Sequence, residues 1–316
     1  MKNVTLKWVI AHEPAYLFYR VAEDFKNLVN EKSKNVKIDI EILTDKEYNS
    51  KYKPENEINR NTLWKALKDN TVQIAQMTTT SLSRQFNRQM HVLDLPYLFD
   101  DHGHAAEVLD GPIGQELLNG FDVDSKLKGL SYTYSGGFRL MTVDKNVKTL
   151  AEIVGSPMRS GMSGIAQDTI SALGFIPVPT EVEELTPTVR EGKANGGEHV
   201  AQRLFPDQCD TWTSTIINTN HSLFLTSIVV NKDWWDSLDS DIQDIFSECA
   251  HIAAVNERQL SILDGEKSIK TLQKMGVNVV DLTKQEIDNL KEKTQPVYDK
   301  YEDTFFKPNL VRSIKR

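Results

Sequence analysis

The sequence predicts a two-domain α/β protein whose domains share one helix of about 35 residues. Three observations carry this expectation. Short apolar, strand-like runs alternate with amphipathic stretches of helical period in both halves of the chain. The 316 residues exceed what a single hydrophobic core usually serves, about 250–300. From Asp241 to Met275 the apolar residues hold a helical phase with no proline to interrupt it.

In the first half, Thr5 to Ile10 reads as a buried strand. Tyr16 to Asn30 reads as a helix, because Phe18, Val21, Ala22, Phe25, Leu28 and Val29 recur at helical spacing. Val36 to Ile42 alternates apolar and polar residues, the period of a half-buried strand. The polar stretch from Tyr48 to Asn61 is expected to be a surface excursion, followed by a short helix at Trp64 to Leu67 and a third strand at Val72 to Ala75. Met77 to Ser81 follows that strand directly. Ligands of open α/β sheets sit beyond the carboxyl ends of the strands, so Thr79 is a candidate ligand hydroxyl; it is equally an N-cap for the helix holding Leu82 and Phe86. Gly129 to Tyr134 gives a strand ending in Ser135-Gly136-Gly137-Phe138-Arg139, and extended sequence resumes at Leu140 to Val143. The chain is expected to cross between domains there.

The second half repeats the pattern. Pro157-Met158-Arg159 is a short strand, Ala166 to Leu173 a helix, and Gly174 to Pro179 a strand too rich in proline for the centre of a sheet. Leu185 to Arg190 is a helix with Pro187 in its first turn. Gly192 and the pair Gly196-Gly197 are expected to bracket a turn that delivers Glu198 and His199. Asn218 to Val230 reads as a return strand. Ser240 with Gln243 offers a capping box for the long helix, and Thr283 with Glu286 another for the helix after Gly276. The domain boundaries that follow are 1–128 with 215–252, and 129–214 with 253–316.

Composition narrows the function classes. The formal charge of -8, from 45 acidic and 37 basic side chains, argues against nucleic acid, which calls for a concentrated basic face. No run of 18 apolar residues marks a membrane span. Cys209 and Cys249 suit no cysteine metal site, and whether they pair stays open. Met1 leads almost at once into strand-like sequence with no export signal, which fits either a cytoplasmic protein or a mature exported one.

No catalytic constellation stands out. His-Glu-x-x-His, the Gly-x-Ser-x-Gly elbow and the phosphate-cradling glycine loop are all missing from the sequence. Asp100-Asp101-His102-Gly103-His104 suggests a metal only until it is weighed against a solvated turn, and no metal or other cofactor is expected. A hydrolase would have to use Ser160 or Ser163 with His199 and Glu198, and no acid is recognisably placed to orient the base. What does stand out is Arg139 and Arg159, each beside a strand end. A guanidinium is a permanent cation whose planar fork of donors matches a carboxylate. Phe138, Trp212 and Phe224 are candidates for excluding water around an organic body, or ordinary core. The chain therefore reads as a protein that holds a small anion without transforming it.

Leu95-Pro96-Tyr97-Leu98-Phe99, Gly137-Phe138-Arg139, Met158-Arg159, Leu173 to Pro179, Gly192 to Glu198, Thr219-Asn220-His221 and Asn231 to Leu238 resemble, in order, motifs of one family. That family is the DctP-like periplasmic solute-binding component of tripartite ATP-independent periplasmic (TRAP) transporters. The resemblance implies a periplasmic-binding-protein-like, hinged two-domain fold that closes on a ligand in the cleft. It implies a periplasmic monomer that takes a small organic acid or zwitterion and works with TRAP membrane subunits, or alternatively a receptor that reports to a sensor. It gives Arg159 the paired contact with the ligand carboxylate and Arg139 a secondary one. The family's usual aspartate, glutamine and asparagine are here Asn195, Gly197 and His199, around a retained Glu198. Ala11-His12-Glu13 is similar to the opening of ectoine-binding members, which would set Glu13 against a cationic group, whereas a carboxylate at a helix start is also favoured by the helix dipole.

Overall fold

The structure is a computed structural model and describes residues 2–33 and 36–315; Met1 lies outside the described residues. Ten strands are present among the described residues: β1 (Lys2–Ile10), β2 (Val36–Thr44), β3 (Ile74–Thr78), β4 (Leu127–Val143), β5 (Pro157–Ser160), β6 (Ile176–Pro179), β7 (Gly196–Val200), β8 (Thr215–Asn218), β9 (Leu223–Asn231) and β10 (Asn278–Asp281). The chain divides into two compact units. One comprises Met1–Met90, Ala106–Ser135 and Leu225–Leu260; the other comprises His91–Ala105, Gly136–Phe224 and Ser261–Arg316. Residues 91–105 and 215–224 thus group with the second unit, whereas the sequence reading places them with the first. β4, β9 and the helix Ser240–Lys274 each contribute residues to both units.

In the first unit β2, β1 and β3 run parallel, and β9 pairs antiparallel with β3, bringing Thr78 opposite Thr226. Trp8, Phe18, Phe25 and Phe246 centre its core, where Phe25 meets Trp8 at 5.4 Å and Phe246 at 5.5 Å between ring centroids. The helix Ala15–Lys32 turns Leu17, Phe18, Val21, Ala22, Phe25 and Val29 inward, the face its spacing predicts. The expected surface excursion is instead partly helical. Asp45–Tyr52 forms a helix that buries Tyr48, started by a reciprocal capping box between Thr44 and Glu47. Local capping there outweighs the lack of an apolar stripe.

In the second unit the strand order is β6-β5-β7-β4-β8-β10. β5 is parallel to β6 and β7, and β4 is antiparallel to β7 and β8. The proline-bearing β6 takes the sheet edge, where a missing N–H costs no ladder bond. The turn expected between Gly192 and Gly196 is present, and Gly196 and Gly197 open the buried strand β7 that carries Glu198 and His199. The reason for the paired glycines is steric. A Cβ at Gly196 would lie 1.8 Å from the Thr142 carbonyl oxygen, and one at Gly197 2.6 Å from the Arg159 Cβ. Only glycine lets β4 and β5 close on β7 here.

The long helix spans Ser240–Lys274, 35 residues, as its phase predicts. Its expected capping box does not form, because Gln243 turns its amide to the carbonyl oxygens of Trp235 and Leu238. The box at Thr283 and Glu286 does form. Cys209 and Cys249 are free, buried thiols, pushed up to about 12 and about 11 by burial foremost.

Candidate functional site

The second unit gathers an unusual density of buried charge around the end of β5. Arg159 is 4% exposed. Its Nε and Nη2 donate to the Thr180 carbonyl oxygen at 3.0 and 2.7 Å, and Nη1 reaches the Glu198 carbonyl oxygen at 3.5 Å. A guanidinium has five N–H groups, so roughly two are left without a protein acceptor. No carboxylate oxygen pairs with it directly among the described residues. Burial brings its pKa down to about 10, against the pull of Glu198, and it stays cationic at neutral pH.

Glu198 sits next along β7 with its carboxylate fully engaged. Oε1 accepts the Gly161 amide at 2.6 Å and Oε2 faces His221 Nε2 at 3.2 Å, while Arg139 Nε stands 3.8 Å from Oε2. Burial alone would raise its pKa, but Arg139, His221 and Arg159 outweigh burial and hold the carboxyl well below the usual carboxylate range. Arg139 lays its guanidinium 4.6 Å from the Phe224 ring centroid, a cation–π contact. Arg159, Glu198, Arg139 and Phe224 are thus brought together. His221 joins them, its Nδ1 held by the Thr219 hydroxyl at 2.8 Å.

A second layer was not singled out from sequence. Arg203 Nε donates to Asp207 Oδ2 at 3.1 Å and its Nη2 to Oδ1 at 3.4 Å. His199 Nε2 lies 2.9 Å from the same Oδ2, near enough for attraction but off the line of a good hydrogen bond. Burial lowers the His199 pKa, opposed by Asp207, so the ring favours its neutral form. The Asp207 carboxyl is lowered despite burial, through His199 and Arg203. The four-residue spacing of Arg203 and Asp207 was the signal available in the sequence.

The other candidates have partners of their own. Phe138 precedes Arg139 on β4 and therefore points to the other face, where it meets His102 at 4.8 Å and lines a recess of about 380 Å³ with Leu140, Ile262 and Ile269. Trp212 donates its indole N–H to the Thr186 hydroxyl at 2.9 Å and packs on the core around Leu185 and Leu204. In the first unit Thr79 is buried, its hydroxyl 3.0 Å from that of Ser227. Glu13 is exposed, accepting the Ala15 amide at 3.0 Å and facing Lys46 at 3.5 Å.

The chemistry candidates take structural positions. His104 directs Nε2 to the Ile314 carbonyl oxygen at 2.8 Å and accepts the Asp100 amide at 3.2 Å. Ser163 caps the helix Gly164–Ala172 by accepting the Ala166 amide. The buried Ser160 hydroxyl has no hydrogen-bond partner among the described residues. No helix among the described residues is long and apolar enough to cross a membrane.

A fold of this kind, carrying an unpaired buried arginine beside ionised, immobilised carboxylates, is the architecture of a solute-binding protein. The chain belongs to the DctP family, the bacterial extracellular solute-binding proteins of family 7, whose profile matches residues 10–304. It is 24% identical over 295 residues to the C4-dicarboxylate-binding protein DctB of Bacillus subtilis, covering 93% of this chain and 80% of that one. An uncharacterized Haemophilus influenzae protein is 29% identical over 194 residues, 61% of this chain and 58% of the relative's own length. A solved TRAP periplasmic solute-binding protein from Ochrobactrum anthropi shares the fold with a TM-score of 0.85 and 24% identity, covering 99% of this chain and 94% of that one; its C-terminus is bound in its ligand-binding pocket.

Proposed function

We propose that this protein is a periplasmic receptor that captures a small organic carboxylate on Arg159 and delivers it, chemically unchanged, to TRAP membrane subunits, acting as a monomer. The observation that carries the reading is the state of Arg159: buried, charged and hydrogen-bonded to carbonyl oxygens, with no carboxylate of its own. Carbonyl oxygens orient the guanidinium while no carboxylate among the described residues occupies its N–H groups, so an incoming anion gains a direct pairing that a neutral ligand does not. Arg139, steadied by Phe224, is the second donor in reach of the cluster. Glu198 acts by fixing the Gly161 amide and by standing beside Arg139, while its backbone carbonyl oxygen accepts from Arg159. His199 acts through Asp207 and stands in place of the asparagine usual in the family. The comparisons support the same ligand chemistry, since one relative is named for binding C4 dicarboxylates.

The test is calorimetric titration of organic acids into wild type and Arg159→Met. Loss of the paired contact is expected to weaken binding by about 2–5 kcal/mol, the usual cost of removing one partner of a buried charge pair. Unchanged affinity would take Arg159 out of the site. Binding of no organic acid by wild type would overturn the reading as a whole.

A further inference from the structure

The recess beside Phe138 lies within the second unit and shares none of its lining with the Arg159 cluster. Phe138 and Leu140 alternate with Arg139 along β4 and so face the other way. They share the recess with Ile262 and Ile269 of the helix Ser240–Lys274. Phe138, Ile262 and Ile269 are each only half-buried, so the walls keep apolar surface open to water. At about 380 Å³ the space falls among small-molecule pockets, which run from about 300 to 1,000 Å³.

Gly265 indicates that this space is kept. It sits inside the long helix, where glycine costs roughly 0.5–1 kcal/mol against alanine. Sterics do not demand it as they do at Gly196: an added Cβ would stand 3.5 Å from the Ala201 Cβ, an ordinary contact. Gly265 and Ala201 both line the recess, so what the missing side chain provides is depth.

The charge of the recess is one-sided. Asp100, Asp101 and Glu266 line it, and among the described residues no lysine or arginine does. Two lysines reach these acids from outside the lining, Lys291 at 3.2 Å from Asp100 Oδ1 and Lys270 at 3.5 Å from Glu266 Oε2. Asp281 adds a carboxylate 2.6 Å from the amide nitrogen of the lining residue Asn218. Four acids against two lysines leave a balance of two negative charges. The histidines do not redress it. Burial lowers the His102 pKa, against the pull of Asp101, and His104 accepts the Asp100 amide at Nδ1, so both favour the neutral form. An anion would meet no cation in this lining, and a neutral apolar molecule would leave the acids unanswered. A cation on an apolar body satisfies walls and rim together, and the Phe138 ring offers it a π face.

We infer that this recess is a second ligand site, separate from the anion site at Arg159, for small organic ammonium ions that carry an aromatic body.

Calorimetry at neutral pH with phenethylammonium and its uncharged counterpart 2-phenylethanol tests this on wild type. The ammonium ion binds at least about 10-fold more tightly than the alcohol, the scale of one charge-assisted contact. Gly265→Leu fills the recess and abolishes phenethylammonium binding, while the melting temperature stays level or rises, leucine being the better helix former. Phe138→Leu keeps the wall apolar, removes the ring face and weakens the ammonium ion about threefold. Arg159→Met binds it as wild type does. Equal affinity for the alcohol, binding that survives Gly265→Leu, or no binding of phenethylammonium to wild type at millimolar concentration each overturns the inference. The carboxylate reading stands under all three, since organic acids test it at a different residue.

Discussion

Arg258 in the first unit and Arg159 in the second are both almost fully buried, at 5% and 4% exposure, and their charges are met in opposite ways. Arg258 places Nη2 at 2.9 and 2.7 Å from the two carboxylate oxygens of Asp110. Arg159 spends its hydrogen bonds on backbone carbonyl oxygens and touches no carboxylate. A buried cation neutralised on the spot belongs to the architecture. One that is oriented but not neutralised is a standing attraction for an anion from outside. The same residue type at the same burial therefore carries different information, and the difference lies in its partners.

The sharpest test of that contrast compares each arginine as methionine. Arg159→Met is expected to lose ligand by the 2–5 kcal/mol given above, read by calorimetry. Asp110→Asn, which leaves Arg258 without its carboxylate, is expected to cost about 1–3 kcal/mol of stability, read by denaturant unfolding, with ligand affinity unmoved. Solvent screens this pair, since Asp110 is 29% exposed. The contrast breaks if the two effects are exchanged.

A smaller effect concerns pH. Burial depresses the His199 pKa below its ordinary 6.5, so the unfolded chain binds that proton more readily than the folded one. Stability from this group is present above about 6.5 and is lost as pH falls below it. His199→Asn should flatten the decline in melting temperature between pH 7 and pH 5, and an unaltered slope would mean that the ring does not titrate in that window. The smallest effect is at Glu13. Its carboxylate is exposed and faces the 83%-exposed Lys46, so Glu13→Gln is expected to change stability by less than about 0.5 kcal/mol and affinity not at all. A tenfold loss of affinity for a zwitterionic acid would return Glu13 to the ligand's surroundings.

Much of the scaffold was legible in the sequence because it follows from period. The helix Ala15–Lys32 buries the residues its spacing selects, and the uninterrupted phase after Asp241 becomes a 35-residue helix. Where the reading went astray, a local rule was overridden by a neighbour. The turn bracketed by Gly192 and Gly196 was legible, but not the reason for the paired glycines, which is that β4 and β5 leave no space for a side chain on β7. The polar run after Thr44 lacked an apolar stripe and still became a helix through its cap. At the site, Arg139 and Arg159 stood out as cations near strand ends, while the Arg203–Asp207 pair did not, since its interest lies in shared hydrogen bonds that only three dimensions reveal. Trp212, read as a water-excluding side chain or ordinary core, donates its indole N–H to Thr186 and packs on the core.

The tight fit of Gly197 against Arg159, whose carbonyl oxygen would lie 2.9 Å from an added Cβ, has a lasting result. Any descendant of this chain must keep glycine there or displace its anchor. Change in ligand choice is thereby routed away from this strand position, while the grip on the acid group is inherited intact.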